Sequence, residues 1–133
     1  MTSNSARTFL LLFVGYWLVF GLITVLWPGL MDLFQTSDGV AAKSVFSNHV
    51  WMHGGFDILS VCVLVFAISR LSPTPATMRA VGVAALMPTI AIGWSLVATP
   101  FWNPLFIVAG AGCLAFAVGS FVIAARLGGR PLH

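Results

Sequence analysis

Four long runs with almost no charge leave this chain few ways to fold. Thr8 to Trp27 is uncharged. Apolar runs over about 47–69, 80–98 and 105–125 follow it, and Asp57 is the one charged residue inside any of the four. Each run is close to the roughly 20 residues an α-helix needs to cross about 30 Å of hydrocarbon. In lipid, every backbone N–H and C=O must be satisfied internally, and within a single run only a helix does so. The expected fold is therefore an all-α integral membrane bundle, with four transmembrane helices making one domain over residues 1–133. Composition agrees: 7% of residues are charged and the mean hydropathy is +1.03, against about 25% charged in soluble domains. The net charge of +3 reflects a shortage of acids and not a basic patch. The expected partner is the lipid bilayer, and nucleic acid is excluded.

The breaks between runs are equally legible. The first run is too long for the apolar region of a signal peptide, about 7–15 residues, and it ends in Leu26-Trp27-Pro28-Gly29 instead of small residues. It reads as an uncleaved first span. Pro28 to Lys43 holds Asp32, Asp38 and Lys43, with Leu30, Met31, Leu33 and Phe34 placed to dip a short turn into the interface. Leu71 to Thr77 and Thr99 to Pro104 are tight proline-containing turns, and Pro88 interrupts the hydrogen bonding of the third span. With four alternating spans, Arg7, Arg70, Arg79, Arg126 and Arg130 share one side and Lys43 lies on the other. That asymmetry puts both termini in the cytoplasm of a cell with the protein in its inner (plasma) membrane.

The second span carries the chemistry. His49, His53 and Asp57 recur every four residues, and Ser60 returns to the same side, so the four form one stripe of a helix. By its rise of about 1.5 Å per residue, Asp57 lies roughly 12–15 Å below the outer interface. A carboxylate there costs at least a few kcal/mol on insertion scales and is ordinarily kept for a function or a partner. The first span brings Tyr16 to the same depth. The third brings Trp94 and Ser95 near His53, and the fourth brings Cys113 near Asp57. His53, Asp57 and Tyr16 are the candidate catalytic groups, with His49, Ser60, Trp94 and Ser95 as candidate ligand contacts. The competing reading makes His53 and Asp57 a structural polar clamp between helices and His49 an ordinary interfacial residue. Gly54-Gly55 removes bulk either for a flat ligand or for close helix packing. Cys62 and Cys113 lie deep in apolar runs and read as packing residues.

His49 and His53 share the i, i+4 spacing that chelates one metal ion, but further ligands are missing. Haem is the cofactor that suits one helical histidine in an apolar setting, with His53 as the metal ligand in preference to His49. A second axial histidine would have to come from another subunit, which makes a homo-oligomer a candidate assembly. Over residues 8–126, four short spans with a polar head on the second, centred on His53-Gly54-Gly55, resemble the small bacterial four-helix membrane proteins of the DoxX-like type. There is a fainter similarity to the membrane isomerases acting on styrene oxide or hydroxylaminobenzene. Those have a histidine and a later Asn-Gly on the second helix, where this chain has Met52-His53-Gly54. That resemblance implies an isomerase, with haem in the styrene oxide type. Two functions are thus expected in competition. One is an outward-facing intramembrane site at His53 and Asp57 that binds or isomerises a small apolar molecule. The other is a non-enzymatic accessory subunit whose small-residue fourth helix docks a partner.

Overall fold

The computed structural model describes residues 3–129. Arg130, one of the five basic residues used for orientation, lies outside them. Four long helices carry the fold: α1 (Ser3–Leu26), α3 (Val45–Arg70), α4 (Pro75–Ala98) and α5 (Pro104–Gly128). Each is long and apolar enough to cross a membrane. Between α1 and α3 lie a 3-10 turn (Pro28–Phe34) and the short α2 (Ser37–Ala41). No strand occurs among the described residues beyond a single bridge, Gln35 to Trp102. The architecture is the all-α four-helix membrane bundle that the hydropathy demands.

Local chemistry sets the helix ends. α1 stops at Leu26, two residues ahead of Pro28, because the residue before a proline is pushed out of the helical region. Ser44 opens α3 and Thr74 opens α4 with reciprocal capping boxes to Ser47 and Thr77, while Asn103 caps α5 through the amide of Leu105. Pro75 and Pro104 occupy first-turn positions, where a missing N–H costs nothing. The helices extend past the apolar runs and take in Arg7, Arg70, Arg79 and Arg126. α4 runs unbroken through Pro88, although proline cannot give the Ala84 carbonyl its helical hydrogen bond.

The helices pack as two pairs, α1 on α3 and α4 on α5. In the first pair, Gly55 lies so near α1 that an added Cβ would stand 2.7 Å from Val25 Cγ2 and 3.2 Å from the Gly21 carbonyl. In the second, Gly82 admits Phe121 and Gly110 admits Ile92. The pairs join along an α1–α5 seam, where Phe9, Phe13 and Tyr16 meet Phe116 at ring-centroid distances of 5.6, 5.2 and 5.5 Å. Gly112 and Gly119 make room there for Tyr16 and Phe9. In lipid this close fit replaces the hydrophobic drive as the source of association. The small residues that suggested partner docking by the last span are therefore largely consumed inside the bundle. Ala109, Ala117 and Ala124 are buried, and Ala111 and Ala115 remain exposed.

The two ends of the bundle differ in chemistry. At one end Arg7 Nε donates to the Ser69 carbonyl at 2.8 Å, and Gly128 lies beside Pro75, so the arginine-bearing helix ends gather together. At the other end the α4–α5 turn is tied to the 3-10 segment. The Thr36 amide donates to the Phe101 carbonyl, the Asn103 amide to the Phe34 carbonyl, and Asn103 Nδ2 to the Leu33 carbonyl. Lys43 Nζ pairs with Asp32 at 2.7 Å across the same cap. The apolar turn expected over Leu30 to Phe34 is this capping segment, with Met31 buried.

Candidate functional site

α3 and α4 are joined by Leu71–Thr74, with Pro73 buried in the turn and Ser69 and Met78 buried in the helix ends beside it. Beyond that turn they make no more than marginal contact, and a cleft runs between them. It deepens into a cavity of about 360 Å³ in the capped half of the bundle, the low end of the range for small-molecule pockets. The aromatic rings of α1, Phe13, Trp17 and Phe20, form its back wall, and Met31 and Phe34 of the cap close its end. On the cleft side, Asp57, Val61, Ala84, Met87 and Ala91 line the cavity and are also exposed, so it opens sideways between α3 and α4.

Small residues create the space. A Cβ on Gly54 would meet nothing within 4 Å, whereas its neighbour Gly55 is filled by α1. The two roles proposed for this glycine pair are divided between its members. Ala84, Pro88 and Ala91 keep the α4 wall thin, and Ala109 and Cys113 do the same on α5.

The polar groups on the wall separate into satisfied and unsatisfied. Tyr16 Oη donates to the Ala109 carbonyl at 3.2 Å, Thr24 Oγ1 to the Phe20 carbonyl at 2.6 Å, and Cys113 Sγ to the Ala109 carbonyl at 3.1 Å. Tyr16, at the depth of Asp57, thus gives its hydrogen to the α5 backbone and not to that carboxyl group. The Asp57 side chain forms no hydrogen bond or ion pair with any described residue. The buried indole Nε1 of Trp17 also lacks a partner. Asp57 is the thirteenth of the 26 residues of α3, which puts it at the middle of the helix.

The remaining candidates lie elsewhere. Gly55, Cys62 and Ser69 mark the buried face of α3, and His53 and Ser60 point to the opposite side with His49. All three are exposed, and none lines the cavity. Asp57 belongs to both regions because it lies about 40° around the axis from His53, toward Gly54, Ile58 and Val61. Ser60 returns its hydroxyl to the Phe56 carbonyl and Ser95 to the Ala91 carbonyl, each at 2.9 Å. Trp94 is 73% exposed on the outer side of α4. Tyr16 and Asp57 thus reach one cavity, while His49, His53, Ser60, Trp94 and Ser95 do not.

A haem held by His53 would not occupy this cavity, because His53 is exposed on the other side of α3 and is not among the lining residues. Among the described residues, no three of His, Cys, Asp and Glu converge on a metal position. The aromatic wall of α1 carries no mark in the sequence, since rings on an apolar helix look the same whether they meet lipid, core or cavity; Trp17 reads as an ordinary lipid or core residue there and lines the cavity in the structure. The run of small residues at Gly54, Ala84, Ala91 and Ala109 was the available signal. Compared with known proteins, the chain matches no family model, no curated protein and no solved structure.

Proposed function

We propose that this protein holds a small, mainly hydrocarbon molecule between its helices, admitted sideways from the bilayer and gripped at its polar end by Asp57. The observation that carries this reading is an apolar cavity with one unsatisfied carboxyl group at its mouth. Tyr16, Thr24 and Cys113 have already given their hydrogens to main-chain carbonyls, so Asp57 and the indole N–H of Trp17 are the unused polar groups among the lining residues and the rest of the wall is hydrocarbon. A ligand bearing an O–H or N–H supplies the donor that Asp57 lacks. The proton-handling role expected of His53 and Asp57 narrows to Asp57, with Tyr16 nearby in the wall. The arginine end faces the cytoplasm of the plasma membrane on the positive-inside rule. The cavity then opens to the outer half of the bilayer.

The test uses purified protein, two probes and mass spectrometry under non-denaturing conditions. Anthracene reports hydrocarbon binding and 1-aminoanthracene adds a donor. Wild type is expected to carry either probe, the amine more tightly. Gly54→Leu puts a side chain into the cavity from a Cβ position with nothing within 4 Å, and should abolish both adducts at unchanged thermal midpoint. Asp57→Asn should remove only the preference for the amine. Equal adducts in wild type and Gly54→Leu would overturn the proposal.

A further inference from the structure

The cavity leaves the polar stripe on the other side of α3 unused. His53 is exposed there and makes no hydrogen bond with any described residue, and no ion pair joins it to Asp57 one turn away. Polar groups at such depth are costly toward lipid, and in membrane proteins they face a neighbouring helix or a water-filled cavity. His49 and Ser60 share this outward side, so the polarity is not confined to one residue.

We infer that this face of α3 is the contact between two copies of the chain, related by a two-fold axis along the membrane normal, with His53 of each copy paired to Asp57 of the other. The stripe is complementary to itself: it presents an imidazole N–H donor and a carboxylate acceptor, one helical turn apart. A two-fold contact presses the same patch against itself, so the His53-to-Asp57 pairing occurs twice, once in each direction. The axial offset between them is about 6 Å, as along a single helix between residues four apart. A foreign helix would need a matching donor and acceptor at the same depths, whereas a second copy has them by construction. Ser60 and Ala67, seven residues apart, let the backbones approach, while the exposed Phe56 and Leu64 supply flanking apolar contact. Asp57 can serve both its partner and the cavity, because a carboxylate has two oxygens and about four acceptor directions. The inference does not depend on the cavity being occupied.

Full-length protein reconstituted in lipid tests it. With Cys62→Ala and Cys113→Ala removing the native thiols, Ser60→Cys is expected to form a disulfide dimer on oxidation. Val97→Cys, on the 86%-exposed outer side of α4, should not. In the native-cysteine protein, His53→Asp and Asp57→His should each weaken dimerisation by about ten-fold, as counted by single-molecule photobleaching. The double swap should restore it. A monomeric wild type, cross-linking at Val97 equal to that at Ser60, or a double swap no better than the single variants would overturn the inference.

Discussion

Gly54 and Gly55 are adjacent and chemically identical, yet they answer to opposite constraints. Gly55 is closed in by Val25 and the Gly21 carbonyl, so a methyl group there overpacks the α1–α3 contact, which costs about 1–3 kcal/mol. Gly54 looks into the cavity, and alanine there relieves the entropic cost of helical glycine, about 0.5–1 kcal/mol. Thermal melts in detergent should show Gly55→Ala lowering the midpoint and Gly54→Ala holding or raising it. The reverse order would mean that α3 is rotated from the position described. The same rotation argument governs the histidine stripe. Four-residue spacing places His49, His53 and Asp57 on one side of α3, but not which neighbour that side meets. Only the rotational setting of α3 shows that Asp57 reaches the cavity while His53 turns away.

At the scale of elements, the cap over the cavity depends on Asn103. Its side chain accepts from the Leu105 amide to start α5 and donates to Leu33, while its backbone amide donates to Phe34. Replacing it with alanine loses a helix cap, typically about 1 kcal/mol, and also the tie to the 3-10 segment. Hydrogen exchange should speed up at 28–36 in Asn103→Ala while the α1–α3 contact stays protected. Lys43→Met removes the partly exposed pair to Asp32 and should cost less, below about 1 kcal/mol. The α1–α5 seam is less forgiving. A side chain on Gly112 would drive into the Tyr16 hydroxyl, with the Cβ itself 2.5 Å away, and would displace the bond to Ala109. Gly112→Leu is therefore expected to give the largest loss of thermal stability among these variants, or to prevent recovery of folded protein.

For the molecule as a whole, the gathering of Arg7, Arg70, Arg79 and Arg126 at one end makes membrane orientation a direct test. Reporter fusions after Arg70 should read cytoplasmic, and fusions after Asp38 should read external. The opposite result would turn the cavity toward the inner half of the bilayer without altering its walls.

The sequence by itself determined that the chain crosses a membrane four times as helices, because hydrocarbon permits no other form for four such runs. It also marked the breaks at the prolines, but not every helix end: α1 begins at Ser3 and α4 at Pro75, each about five residues ahead of its apolar run, so the last residues of the expected Leu71–Thr77 turn belong to the first turn of α4. It marked Asp57 as the residue to explain, because a carboxyl at mid-membrane depth is costly wherever it points. Tertiary structure decided the rest. Whether a glycine is a contact or a void, and whether a ring is wall or surface, depends on what stands opposite. That in turn depends on how each helix is rotated against its neighbours. The cavity exists because α3 and α4 each pack on a different partner and leave a gap between them, a relation between residues that no spacing along one helix encodes.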